Sequence, residues 1–155
     1  MWVDLAWRTA YRLAYAAARV CFAVCRPSTH GALVALWRED RILLVRTSYQ
    51  GYWSLPGGYV KRGEQGIDAA LRELEEEVGV AGVSADRLER VYDETRNWRG
   101  KKDHVEIFAL EVTEAPTLTV DNREVVEARF FSAEEALGLK LFPPIADVIR
   151  ARLAR

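Results

Sequence analysis

The 155-residue sequence is poor in several features that would each mark a class of protein. It has 2 cysteines, too few for a disulfide scaffold, and its 50% apolar and 29% charged composition excludes a disordered or collagen-like chain. No charge-free run reaches the roughly 18 residues that a membrane-spanning helix needs. The 22 Lys+Arg against 23 Asp+Glu leave a net charge of -1, so total charge gives no reason to expect a nucleic acid partner. Lysine is also scarce. Lys61, Lys101, Lys102 and Lys140 are the full set, so arginine supplies most of the cations and favours planar, bidentate contacts to carboxylates or phosphates. Few cysteines and no basic leader with a small-residue cleavage site predict a reduced, cytoplasmic protein. Cys21, Cys25, His30 and His104 would suffice for zinc by number, but their spacing matches no usual zinc pattern.

What is present divides into residues 1–26 and residues 27–155. The first segment is rich in alanine and large apolar residues, with Arg8, Arg12, Arg19 and Arg26 recurring at steps of four, seven and seven. On a helix these arginines fall within about 40° of one another. One face is cationic and most of the rest is apolar. Such a helix packs on its own domain, pairs with a second copy as a homodimer, or makes peripheral contact with an anionic membrane surface. After Arg26-Pro27-Ser28, residues 31–37 and 41–46 read as a β-hairpin around Arg38-Glu39-Asp40. Residues 52–55 are extended, Pro56-Gly57-Gly58 breaks them, and a loop runs to Glu64. Residues 67–78 read as a helix stopped by Gly79; residues 88–92 and 104–112 read as strands around a polar tip. A strand at 127–131 and a helix at 143–153 complete an α/β arrangement: a mixed sheet covered on both faces, an α/β/α sandwich.

The most informative segment is residues 64–77. It holds six acids, Glu64, Asp68, Glu73, Glu75, Glu76 and Glu77, against one base, Arg72. With Glu73 at zero on a helical wheel, Glu77 lies at about +40°, Glu76 at about -60° and Glu75 at about -160°. Glu73, Glu76 and Glu77 therefore share a face, and no lysine is present to pair with them. Like charges so placed repel unless a cation occupies the space between them. Oxygen donors alone suit Mg2+ or Mn2+ rather than zinc, and Gly57 and Gly58 let backbone carbonyls approach the same ion. The residues by themselves point to a divalent-metal site able to hold a phosphate-bearing ligand.

The spacing also carries a resemblance. Gly58, five residues, Glu64, seven residues, then Arg72-Glu73-Leu74-Glu75-Glu76-Glu77-Val78-Gly79-Val80 resembles the Nudix box, G-x5-E-x7-R-E-U-x-E-E-x-G-U, at every specified position. A chance match at one start is roughly a one-in-a-billion event. The resemblance covers about residues 29–153 and implies a Nudix-type, MutT-like α/β/α sandwich with the N-terminal amphipathic helix outside it. It implies a pyrophosphohydrolase that cleaves a nucleoside diphosphate linked to another moiety by water attack at phosphorus. It further implies Glu76 and Glu77 as metal ligands, Glu73 as ligand or base, and Arg72 as the residue that orients them. The carbonyl of Gly57 or Gly58 joins the metal shell, and Glu64 supports the loop–helix geometry. A later acid often completes the set in this family; Glu124 matches that position best, with Glu127, Asp103 and Glu106 as rivals. The other reading is a non-catalytic Nudix ligand-binding module, against which the complete acid set argues.

For the substrate, Arg96-Asn97-Trp98-Arg99-Gly100-Lys101-Lys102 gathers cations around an aromatic ring, so Trp98, Arg99 and Lys101 are candidates to cover phosphates and stack a base. Arg46 is a further phosphate candidate, and Trp53 and Tyr59 are candidate pocket walls. Phe142-Pro143-Pro144 resembles enzymes that clear oxidised purine nucleotides, although Ala146 stands where those carry a base-reading asparagine. His104 reads as structural, and His30 shows no partner in the sequence.

Overall fold

The computed structural model describes residues 2–25, 27–98, 101–120 and 122–154. Arg26, Arg99, Gly100 and the side chain of Trp98 lie outside the described residues, so the substrate roles expected of Trp98 and Arg99 fall there as well. The described elements run α1 Trp2–Cys25, β1 Ser28–Arg38, β2 Arg41–Thr47, β3 Gly57–Tyr59, α2 Gly66–Val78, β4 Glu89–Trp98, β5 Lys101–Glu111, β6 Val125–Ser132, α3 Ala133–Leu137 and α4 Pro143–Leu153, with a 3-10 turn at Ala85–Arg87 between α2 and β4.

The strands form one mixed sheet in the order β4-β5-β1-β2-β6, with β3 also on β1. β1 and β5 run parallel with His30 opposite His104; the other pairs are antiparallel. Alternate residues of β1 bury into opposite faces. Ala32, Val34 and Leu36 join Ala70, Leu74 and Val78 of α2, while Leu33, Ala35 and Trp37 join Ile145 and Ile149 of α4. A strand buried on both sides reads as one apolar run, which is why 31–37 lacks polar alternation. The segment expected to be a polar tip is mostly strand: β4 reaches Trp98 and β5 begins at Lys101, because the antiparallel ladder continues through Arg96↔Asp103 and Trp98↔Lys101.

β1 and β2 meet only at their hairpin end, at Trp37↔Ile42 and Arg38↔Arg41. Toward the other end residues 54–59 occupy the fork. Val34 N–H donates to the Pro56 carbonyl at 2.8 Å, Val45 N–H to that of Ser54 at 2.8 Å, and β3 pairs with Gly31, Ala32 and Leu33. This wedge brings the two adjacent glycines under α2. At Gly57 the φ of 150° and an Ala32 oxygen 2.4 Å from any added Cβ restrict the position to glycine.

α2 is an ordinary amphipathic helix. Ala69, Ala70, Leu74 and Val78 are buried, and Gly79, at φ 75°, ends it with its N–H on the Glu75 carbonyl. α1 has the reverse orientation. Arg8 Nε donates to the Asn122 carbonyl at 2.7 Å and Arg12 Nε to that of Ser48 at 3.0 Å, while Tyr11 and Tyr15 pack on Tyr49. The arginine face thus meets the domain. Val3, Leu13, Val20 and Val24 are left exposed. No helix among the described residues is long and apolar enough to cross a membrane.

Candidate active site

α2, β3 and the approach to β6 enclose a cavity of about 480 Å³. Arg72, Glu73, Glu76 and Glu77 reach it from α2, Gly57, Gly58 and Tyr59 from β3, and Glu124 from the residue before β6. Arg72 organises the acidic wall. Its Nε donates to Glu64 at 2.9 Å, one terminal nitrogen reaches Glu73 at 2.5 Å and Glu76 at 3.4 Å, and the other donates to the Tyr59 carbonyl at 3.2 Å. Glu64 in turn accepts from Lys61 N–H at 2.8 Å, so it ties the loop after β3 to the helix. These bonds, the one from Arg72 first, hold the Glu64 carboxyl down at about 2. Glu77 accepts from Gly57 N–H at 2.8 Å. An added Cβ at Gly58 would meet the Glu73 carboxylate at 2.6 Å, so a side chain there would displace it.

Burial raises the proton affinity of Glu73, and the charges of Glu76 and Glu124 raise it further against the lowering effect of Arg72. The three carboxylates are near enough to act on one another. Tyr49 completes the wall by donating its hydroxyl to Glu124 at 2.6 Å, and burial followed by the charge of Glu124 pushes its phenol up. No sequence signal marked Tyr49; its role appears only when the segment after β2 is set against Glu124.

In this arrangement each carboxylate is held by a protein donor, and among the described residues no three His, Cys, Asp or Glu side chains close into a compact ligand set. The donor chemistry nevertheless fits a hard divalent cation. Glu73, Glu76, Glu77 and Glu124 line one cavity, three of them from the helix that carries Arg72, and oxygen donors of this kind favour Mg2+ or Mn2+ over softer metals. No zinc set forms from Cys21, Cys25, His30 and His104. The imidazoles are engaged elsewhere, His30 with Glu106 at 2.7 Å and His104 with Asp93 at 2.8 Å, the two rings stacked at 4.3 Å. His30 therefore has a partner after all, supplied by the β1–β5 pairing.

The expected substrate residues separate. Lys101 lines the cavity, with Nζ 3.0 Å from Asp103 and 3.2 Å from the Tyr59 hydroxyl. Tyr59 lines it too, whereas Trp53 packs edge-on against Phe131 at 5.0 Å. Arg46 is a correction. Val45 and Thr47 face the cavity, so alternation sends Arg46 to the other side of β2, where it binds Glu127 at 2.7 Å. Among the rival acids, Glu127 is held by Arg46, Glu106 by His30 and Arg90, and Asp103 by Lys101 and Thr29. Tyr15, Arg19 and Phe22 of α1 also line the cavity, which the arginine pattern alone did not reveal.

The fold and the carboxylate wall define a class, and comparison with known proteins agrees. The family model for the NUDIX domain matches residues 27–152, and the chain belongs to that family. It is 38% identical over 120 residues to an uncharacterized Nudix hydrolase of Pseudomonas aeruginosa, covering 74% of this chain and 68% of that one. It is 35% identical over 152 residues to a putative 8-oxo-dGTP diphosphatase 3 of Mycobacterium tuberculosis, covering 94% of this chain and 64% of that one. It is 35% identical over 102 residues to the mouse diphosphoinositol polyphosphate phosphohydrolase 3-alpha, covering 64% of this chain and 60% of that one. The chain thus spans less than two thirds of the length of the last two. In fold it is similar to a MutT NUDIX hydrolase from Burkholderia pseudomallei, at TM-score 0.69 and 22% identity over 79% of this chain and 96% of that one. A C. elegans Ap4A hydrolase gives 0.68 and 20% identity over 81% and 96%. The chain is thus a homologue of Nudix pyrophosphohydrolases.

Proposed function

We propose that residues 27–155 form a divalent-metal-dependent pyrophosphohydrolase, with residues 1–26 as an added helix, and that the substrate is nucleotide-type: a nucleoside diphosphate linked to another moiety. One observation carries this reading: Glu73, Glu76, Glu77 and Glu124 share a cavity whose other walls include Tyr52, Tyr59 and Phe142. Carboxylates suit the metal and diphosphate end, and aromatic rings suit a base. Glu76, Glu77, Glu124 and the Gly58 carbonyl would hold Mg2+ or Mn2+. A divalent cation bound there supplies charge neutralisation for the diphosphate and acidifies water. Glu73 either joins that shell or takes the proton from the attacking water, and Arg72 fixes the direction of Glu73 and Glu76. Lys101, beside Tyr59, meets the phosphates. The exposed free thiols of Cys21 and Cys25 fit a reducing, cytoplasmic setting.

The test is phosphate release with Mg2+ against nucleoside triphosphates, oxidised nucleotides, dinucleoside polyphosphates, nucleotide sugars, ADP-ribose and diphosphoinositol polyphosphates. EDTA should abolish turnover. Glu77→Gln should lower it by on the order of 10²–10³-fold with the fold retained. Near-normal rates in that variant would sink the metal assignment. Tight binding of one compound without any turnover would favour the ligand-binding module.

A further inference from the structure

α1 lies outside the family match, yet it supplies part of the cavity wall. Tyr15, Arg19 and Phe22 are spaced so that all three meet the cavity from successive turns. The helix is fastened at both sides of the opening. The Tyr15 ring lies 5.0 Å from Tyr49, whose hydroxyl is on Glu124, and the Phe22 ring lies 5.8 Å from Lys101 Nζ. Arg19 stands between these anchors.

Among the other described cations around the opening, Lys61 also lines the cavity, and the rest are already engaged. Arg8 and Arg12 are spent on backbone carbonyls and Arg72 on three carboxylates, while Lys101 divides its donors between Asp103 and the phosphates assigned to it above. Arg19 makes no hydrogen bond or ion pair among the described residues, although it lines the same cavity. A polyanion entering a cavity lined by carboxylates needs cations beside it, and a planar guanidinium can bind two phosphoryl oxygens at once.

We propose that α1 is part of the substrate site, with Arg19 binding a phosphoryl group of the substrate and Tyr15 and Phe22 flanking it. The proposal rests on the pyrophosphohydrolase reading, and it names a specificity determinant outside the catalytic domain.

The experiment uses the full chain with Mg2+ and the non-hydrolysable probe α,β-methylene-ADP. By calorimetry, Arg19→Ala should raise Kd about tenfold and Arg19→Lys should recover part of the loss. Because Arg19 is exposed, its thermal midpoint should match the wild type. The probe should also slow tryptic cleavage after Arg19 in the wild-type protein. An unchanged Kd in Arg19→Ala, no binding by the wild type, or cleavage at Arg19 indifferent to the probe would each overturn the proposal. A wild-type protein that hydrolyses no diphosphate while its binding still depends on Arg19 would overturn the hydrolase reading alone. Wild-type turnover with an Arg19-independent Kd would do the reverse.

Discussion

α1 and α2 are both amphipathic, both carry charge of mainly one sign, and both line the same cavity, yet they are mounted in opposite senses. α2 buries Ala70, Leu74 and Val78 and turns Glu73, Glu76 and Glu77 toward the cavity. α1 turns Arg8, Arg12, Tyr11 and Tyr15 inward and leaves Leu13 and Val20 each 67% exposed. Periodicity tells that a helix has two faces; what the docking surface offers decides which one is covered. The sheet offers α2 an apolar face. The cavity rim offers α1 the carbonyls of Ser48 and Asn122 and the ring of Tyr49, groups that suit guanidinium and phenol better than valine.

The contrast can be broken first at α2. Arg72 is the internal counter-ion of the acidic face, so Arg72→Ala should lower Mg2+-dependent turnover about 10–100-fold, as loss of a supporting partner around a metal site usually does. A kinetic assay at saturating Mg2+ checks it, and an unaltered rate would show that the carboxylates orient themselves. The second break is at the joint between the helices. Tyr49 is partly buried, carries the α1 tyrosines on its ring and holds Glu124 by its hydroxyl. Tyr49→Ala should lower the thermal midpoint by roughly 4–8 °C, whereas Tyr49→Phe, which keeps the stack, should lower it less. Equal losses in the two variants would assign the effect to the hydroxyl and leave α1 independently held.

How far the sequence reached follows the same division. α2, its glycine stop and the acid spacing were legible because each depends on neighbours within a few turns. The β1–β2 hairpin and the helix α4 were legible from short β-prone runs around a polar turn and from the proline in the first turn. Arg46 went wrong for want of one step: Val45 and Thr47 on the cavity side require Arg46 on the other. His30 and Tyr49 were not legible. Their partners, Glu106 and Glu124, are 76 and 75 residues away and meet them only through strand pairing and loop placement. The inward turn of α1 was illegible for a like reason, since the carbonyls that receive its arginines belong to residues 36 and 114 positions away.

A smaller effect sharpens the account of α2 through pH. Glu64 ordinarily titrates near 4.5 and is held at about 2 in the fold, chiefly by Arg72. A carboxyl depressed by folding stabilises the fold fully above its unfolded value and loses that contribution as pH falls through its folded value. In EDTA, the gap in thermal midpoint between wild type and Arg72→Ala should therefore be full above about pH 5. It should narrow between 4.5 and about 2. A gap constant across that range, measured by scanning calorimetry, would mean that Arg72 acts without Glu64.

The smallest effect is expected on the outer face of α1, and it tests the inverted mounting directly. Leu13 and Val20 point away from the domain, so a Leu13→Lys, Val20→Lys pair removes little packing within the chain. Surface changes of this kind move the thermal midpoint by no more than about 1–2 °C and should leave turnover unaltered. Placing charge on an apolar face also weakens any association that the face makes. Light scattering and liposome co-sedimentation on the same variant therefore read a second copy and a lipid surface separately. A concentration-dependent fall of more than about 4 °C would mean that the face is covered by another molecule of this chain, and that α1 is an interface on both sides.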